Sequence, residues 1–170
     1  PATQYNYLDL EKNETGGAQQ AVLTQGEYFH RTNSRDRYSP PGTMIHYFFE
    51  ITGVDGSVVA TPEAELLLID ARWEWDTSVS GPVTVYYHGP VGVRAASMAE
   101  TAYLTILNMN SLLGAEIDSP VRIIMYNNNA EMMGALAPRS AAISNELITE
   151  GQAFGEQDVV LVLGNGRRAK

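Results

Sequence analysis

The stretch TPEAELLLIDARWEWDTSVSGPVTVYYHG, residues 61–89, decides the fold class of this chain. Before it lie short segments in which apolar and polar residues alternate, a pattern typical of strands with one buried face. After it, apolar strands alternate with a segment of helical period. The sequence therefore predicts two structural units that meet near Trp73 and Trp75, with an α+β fold overall.

Residues 1–75 predict a β-sandwich of the immunoglobulin or fibronectin type. Roughly six or seven short strand-like runs occur there, with turn signals between them. The run at residues 43–52 is dense in β-branched and aromatic residues, which favour strands. The pair Asp55-Gly56 after it is typical of a tight hairpin turn.

Residues 76–170 predict a small α/β domain with the element order β-α-β-α-β-β. Strands are expected at residues 83–88 and 121–126, with a long helix between them that Gly114 ends. The asparagines at residues 127–129 are expected to cap a short helix, and residues 153–163 to form a strand pair. At least one pair of strands is then parallel, because a helix crosses between its members.

Composition excludes several function classes. The chain has 20 acidic and 11 basic residues and a formal net charge of -9, which repels nucleic acid and anionic membrane surfaces. No run approaches the roughly 18 apolar residues of a membrane span, so membrane insertion is not expected. The absence of cysteine excludes disulfides, thiolate catalysis and cysteine-based zinc sites. The start at Pro1 rather than Met indicates a processed mature chain or a fragment.

No catalytic motif is visible. The three histidines, His30, His46 and His88, are not arranged as His-Glu-x-x-His, and each is expected to be a surface or half-buried strand residue without a ligand role. Asp70 beside Arg72 indicates a structural link at the domain joint. A hydrolase whose site uses Asp70 or Asp76 without histidine is the least favoured of three function hypotheses.

The tryptophans are expected to be structural. Trp73 and Trp75 lie two residues apart, so they share one side of an extended segment, and packing at the joint is expected rather than an exposed ligand platform. The predicted joint consists of Asp70, Arg72, Trp73 and Trp75.

Five segments taken in order resemble secreted bacterial proteins of the peptidase MA-like, gluzincin type. They are PPGTMIHYFFEITGVDG at residues 40–56, TPEAELLLIDARWEWD at 61–76, VTVYYHGP at 83–90, AETAYLTILNMNSLLGAEIDSPVRIIMYNNNAEMMGALAP at 99–138 and GQAFGEQDVVLVLG at 151–164. The residues at the patterned positions are Asp70, Arg72, Trp75, Gly89, Tyr126, Leu136, Gly151 and Phe154.

The resemblance implies a non-catalytic role for this chain. In that family a helix bearing His-Glu-x-x-His follows the last hairpin and holds zinc, whereas this sequence reaches Lys170 without such a motif. No catalytic, cofactor or metal residue is therefore assigned here, and zinc is implied only for a longer parent. The sheet is expected to offer a strand edge to a substrate or partner, at Val159, Val160, Leu161 and Val162.

Two function hypotheses follow. The first is the N-terminal, inactive part of a secreted bacterial zinc-peptidase-like protein whose partners are proteins or peptides. The second is a complete non-enzymatic module, secreted or on the cell surface, that serves adhesion or self-assembly through strand edges.

Overall fold

The computed structural model describes most of the chain after residue 31 and short pieces before it. The described residues are 11–13, 23–25, 27–29, 32–34, 37–53, 55–114, 119–137 and 150–164. The chain divides into two compact units, Pro1–Thr32 and Asn33–Lys170. In the first unit, β1 (Glu11–Asn13) pairs antiparallel with β2 (Leu23–Gln25).

The second unit begins with short strands and continues as an α/β layer. Its elements are, in order, β3 (Asn33–Ser34), β4 (Arg37–Tyr38), β5 (Met44–Tyr47), β6 (Glu50–Thr52), β7 (Val58–Ala60), β8 (Ala64–Leu67), β9 (Asp76–Ser80), β10 (Val83–Tyr87), α1 (Gly92–Leu113), β11 (Val121–Tyr126), α2 (Asn129–Ala135), β12 (Gly151–Phe154), a 3-10 turn (Gly155–Gln157) and β13 (Val159–Leu163). From β10 onward, the elements that the structure describes follow the predicted order β-α-β-α-β-β.

A five-stranded mixed sheet organises this unit, with the strand order β12-β13-β11-β10-β9. The three central strands run parallel, with Val85 opposite Ile123 and Ile123 opposite Val160. The strands at the two ends, β9 and β12, pair antiparallel with their neighbours. The carboxyl ends of β10, β11 and β13 therefore meet at one edge of the sheet.

Both faces of the sheet are covered, because successive side chains of a strand point to opposite faces. On one face α1 packs through Ala95 and Ala99 against a core cluster that includes Val83, Val85, Ile123 and Met125. On the other face α2 packs through Met132 against a cluster that includes Ile124, Tyr126, Val159 and Leu161. Near-continuous apolar strands such as β11 and β13 are typical of this arrangement.

Two glycines mark the ends of elements, and Gly114 does so where the sequence predicts it. Gly114 caps α1 in the left-handed region, with φ +63, and its N–H donates to Asn110 O at 2.9 Å. Gly81 lies in the turn between β9 and β10 with φ +53, where a two-residue hairpin loop favours glycine. A Cβ at Gly81 would lie only 2.5 Å from the Tyr103 ring of α1, so this turn also sets how closely the helix approaches.

A long hairpin precedes the sheet. β5 pairs with β8, which places His46 opposite Glu65, and β6 pairs with β7. The turn contains Asp55 and Gly56, as predicted, and is closed by the Gly53 N–H, which donates to Ser57 O at 2.8 Å. Large apolar side chains are exposed on this hairpin: Tyr47, Phe48, Phe49, Ile51, Val58, Val59 and Leu66.

The predicted β-sandwich is not confirmed. The described strands of residues 1–75 pair two by two, as β1–β2, β3–β4, β5–β8 and β6–β7, rather than as two packed sheets. The fold is mixed α/β. Alternation in a sequence predicts that a strand exists, but not which strand it pairs with, and the pairing decides between a hairpin and a sandwich.

The division between units also differs from the predicted one at residue 75. The structure divides the chain between Thr32 and Asn33. Hydrogen bonds cross the predicted boundary: the Arg122 Nε of β11 donates to Gly42 O at 2.7 Å, and the Tyr38 hydroxyl donates to Ala135 O of α2 at 2.8 Å.

The predicted strand edge at Val159, Val160, Leu161 and Val162 is wrong. β13 pairs with β11 on one side and β12 on the other, so it lies inside the sheet. Among the described strands, the outer strands are β12 and β9. β12 forms a hairpin with β13 and lies outside it. β12 therefore holds the edge position that the sequence analysis assigned to β13.

Candidate functional site

Two tryptophans from the segment before β9 pack on the α2 face of the sheet. The Trp75 Nε1 donates to Asp70 O at 2.7 Å, and its ring lies edge-on to Tyr126 at a centroid distance of 5.5 Å. Trp73 stacks on His88, with ring centroids 4.4 Å apart and an interplanar angle of 11°. Trp75 meets the same histidine edge-on at 5.2 Å. The two indoles and the imidazole therefore form one aromatic cluster.

Asp70 anchors this segment. Its carboxylate accepts hydrogen bonds from the Arg72 Nε at 2.8 Å, from the Arg72 backbone N–H at 3.1 Å and from the Tyr126 hydroxyl at 3.1 Å. A terminal guanidinium nitrogen of Arg72 also donates to Glu131 O of α2 at 2.9 Å. The Asp70–Arg72 pair thus fastens the tryptophan segment to β11 and to α2 together.

The ionisation of this network follows from its bonds. Burial opposes the charge on Asp70, but the hydrogen bonds from Arg72 and Tyr126 outweigh it and lower the pKa of the carboxyl below its usual value. The bond to Asp70 raises the pKa of Arg72. Burial, reinforced by the Asp70 charge, raises the pKa of Tyr126 far above the usual range. Both members of the Asp70–Arg72 pair are therefore charged at neutral pH.

His88 lies directly after β10, at the carboxyl edge of the parallel strands, and is 7% exposed. Its Nε2 lies 3.1 Å from Glu131 Oε2. The Asn127 amide, which follows β11, donates to His88 O at 3.1 Å and lies 3.2 Å from the His88 Nδ1. The two neighbouring strand ends bring these side chains together although they are about 40 residues apart in the chain.

The start of α2 holds Glu131 in place. Asn128 is the N-cap and accepts the Glu131 N–H at 3.0 Å, while its own amide donates to Glu131 Oε1 at 2.6 Å. The other carboxylate oxygen, Oε2, accepts the backbone N–H of Asn127 at 3.0 Å. The arrangement resembles a capping box, except that the glutamate accepts the backbone N–H of the residue before the N-cap and also lies against a histidine.

These contacts limit what His88 can do. Glu131 Oε2 lies 3.1 Å from the His88 Nε2, and the Asn127 amide nitrogen lies 3.2 Å from Nδ1 and 3.3 Å from Nε2. Both ring nitrogens then have protein partners, and neither is left to take a proton from a substrate. The geometry favours a positioning role for His88 over general-base chemistry.

An open cleft of about 450 Å³ borders the aromatic cluster. Its lining residues are Arg72, Trp73, Glu74, Trp75, Asp76, His88 and Gly89. The Trp73 Nε1 is buried and has no hydrogen-bond partner among the described residues. The cleft has aromatic, acidic and guanidinium walls, and it lies beside the carboxyl edge of β10.

The structure brings the four predicted joint residues together around Asp70, where they connect the segment before β9 with β11 and α2. Sequence reasoning missed His88, Asn127 and Glu131 as members of the site. The spacing Asn128-x-x-Glu131 is a capping-box signal and could have identified Glu131 as a fixed carboxylate. No comparable signal in the sequence pairs it with His88.

Comparison with known proteins gives no relative: no family model, curated protein or solved structure matches this chain at a significant level. Within the described residues no group of three or more His, Asp or Glu side chains could hold a metal ion. None of the described helices combines the length and the apolar character needed to cross a membrane.

Proposed function

We propose that this chain forms the non-catalytic front part of a secreted bacterial zinc-peptidase-like protein, and that its sheet binds extended peptide along β12. The observation that carries the proposal is the position of β12, which is an outer strand whose far side pairs with no described strand. An outer strand of this kind can take an added peptide strand through main-chain hydrogen bonds.

The register of β12 identifies the groups that would pair with a peptide. Glu150 O accepts the Leu163 N–H at 2.9 Å, and Gln152 lies opposite Leu161. Hydrogen-bonded and non-hydrogen-bonded pairs alternate along an antiparallel ladder, so the backbone groups of Gly151 and Ala153 point away from β13. Gly151 and Ala153 are both exposed. They are the peptide-binding groups of this proposal.

Two further observations support the proposal that this chain is the non-catalytic front part of a zinc-peptidase-like protein. The element order from β10 to β13 is the one that the resemblance implies. The His88 ring has both nitrogens engaged, which favours a structural role for the only buried histidine among the described residues. Zinc and the residues that bind it belong, in this proposal, to a longer parent.

A matched pair of variants tests peptide binding. Ala153→Pro removes one outward N–H without breaking the ladder, because proline is tolerated where the N–H of an edge strand faces solvent. Ala153→Ser keeps that N–H. On titration with the blocked tetrapeptide N-acetyl-Val-Thr-Val-Thr-amide, we expect the amide NMR signals of Gly151 and Ala153 to shift in wild type and in Ala153→Ser. In Ala153→Pro the Gly151 shift should be lost.

The outcome that contradicts peptide binding is an unchanged Gly151 shift in Ala153→Pro, or no shift at Gly151 and Ala153 in folded wild type. The zinc-peptidase relationship has a separate test, which is to sequence the native gene beyond the codon for Lys170 and express its full product. One zinc per chain, measured by mass spectrometry, together with cleavage of casein supports it. A full product with neither property contradicts it.

A second candidate function is a non-enzymatic module that assembles with copies of itself at the cell surface. It is favoured by the exposed apolar hairpin, on which Ile51 and Val59 lie opposite each other and are 46% and 63% exposed. Sedimentation at increasing concentration separates the candidates. Defined oligomers that the double variant Ile51→Lys/Val59→Lys abolishes support assembly, and a monomer at all concentrations contradicts it.

A further inference from the structure

The cleft beside His88 has an excess of negative charge. Arg72, the one arginine among its lining residues, is already engaged by the Asp70 carboxylate and by Glu131 O. Glu74 and Asp76 are exposed, and no described cation pairs with either carboxylate. Two carboxylates on one small open surface repel each other and attract a cation.

The walls of the cleft are aromatic and held in place. Trp75 is fixed by its 2.7 Å bond to Asp70 O, and Trp73 by its stacking on the buried His88. Both indoles are half-buried, so each still borders the open space. Tryptophan is the aromatic side chain that attracts a cation most strongly, and it does so best when the ring needs no rearrangement.

We propose that this cleft binds an organic cation, the guanidinium or ammonium group of a basic side chain. Such a group matches both the negative charge and the aromatic walls of the cleft. Its charge pairs with Glu74 and Asp76, and its weakly hydrated surface rests on the indoles. An anion would meet the two carboxylates, and a neutral apolar ligand would leave them without a partner. The proposal goes beyond the peptide edge of β12, on which it does not depend.

The chain contains its own probe for this site. Its two tryptophans are Trp73 and Trp75, so any change in intrinsic tryptophan fluorescence reports on the cleft. We expect N-acetylarginine amide to change the emission saturably. N-acetylcitrulline amide has nearly the same shape without the charge, and we expect it to bind at least about tenfold more weakly.

Three variants test which carboxylates bind the cation. Glu74→Gln and Asp76→Asn should each weaken binding of N-acetylarginine amide about threefold. Glu100→Gln on α1 removes one exposed carboxylate outside the cleft and should leave binding unchanged, which controls for the overall charge of the chain. Thermal unfolding checks that each variant is folded as the wild type is.

A further titration distinguishes the source of the cation. If methylguanidinium binds as tightly as N-acetylarginine amide, the ligand is a small free cation. If the amide binds more tightly, the ligand is a side chain in a polypeptide. Both results support a cation site. Equal binding of the arginine and citrulline amides overturns the proposal. So does a Glu100→Gln effect as large as that of Glu74→Gln, or the absence of a saturable change with any cationic probe.

Discussion

The Tyr126 hydroxyl donates a hydrogen bond of 3.1 Å to Asp70 Oδ2, and the two residues lie 56 positions apart in the chain. Tyr126 is fully buried at the end of β11, and the Asp70 side chain is 8% exposed. A carboxylate so well removed from water needs several donors, and here Arg72 supplies the others. This one bond joins the tryptophan segment to the central strand of the sheet.

The first prediction concerns that hydroxyl. Tyr126→Phe keeps the buried ring and removes one donor from a charged acceptor, so we expect the free energy of unfolding to fall by about 1.5–2 kcal/mol. Tyr86→Phe is the matched control, because the Tyr86 hydroxyl has no hydrogen bond to the described residues, and it should change stability by less than about 0.5 kcal/mol. Urea unfolding followed by tryptophan fluorescence measures both. Equal losses in the two variants would show that the bond adds nothing.

The second prediction is a loss of stability in acid that depends on Asp70. Its pKa in the folded chain is lower than the ordinary value of 3.8, so the carboxylate stabilises the fold above pH 3.8. That contribution is lost as the pH falls through the folded pKa. The difference in unfolding free energy between wild type and Asp70→Asn should therefore be constant from about pH 5 to 7 and shrink steadily below pH 3.8.

Urea titrations of both proteins at a series of pH values measure this difference. Asp76→Asn is the control, because Asp76 is exposed and has no partner among the described residues. Its loss of stability at pH 7 should be smaller than that of Asp70→Asn, because the substitution breaks no side-chain hydrogen bond to the described residues. A difference between wild type and Asp70→Asn that stays constant down to pH 2.5 contradicts the assignment.

Much of the α/β layer could be predicted, because local signals determine it. Gly114 ends α1 and Asn128 caps α2, as the sequence indicated. Ala95 and Ala99 form the buried face of α1 against the sheet, at the i, i+4 spacing of a helix. These features depend on residues within one or two helical turns of each other, which a sequence pattern records.

The order of strands within the sheet depends on distant partners and could not be predicted in the same way. Val160 pairs with Ile123 on one side and Ala153 on the other, and an apolar run alone does not show whether it has one neighbour or two. The site around His88 was missed for the same reason. Its partners Asn127 and Glu131 follow a different strand and become neighbours only because β10 and β11 are parallel.

The third prediction tests whether Glu131 positions His88. Three donors converge on its carboxylate: the Asn127 N–H, the Asn128 side-chain amide and the His88 Nε2. Glu131→Gln replaces one acceptor oxygen by an NH₂ group, which then faces a donor. We expect the free energy of unfolding to fall by about 2–3 kcal/mol, because a buried donor loses its partner and the remaining bonds lose their charge assistance.

The matched control is Glu156→Gln, which makes the same chemical change at an exposed residue of the 3-10 turn and should change stability by less than about 0.5 kcal/mol. A second readout separates positioning from general stability. With its carboxylate partner lost, the His88 ring is no longer held against Trp73, so the tryptophan emission of the folded Glu131→Gln protein should differ from that of wild type. Unchanged emission and stability within about 0.5 kcal/mol of wild type would mean that Trp73 and Asn127 orient the ring without Glu131.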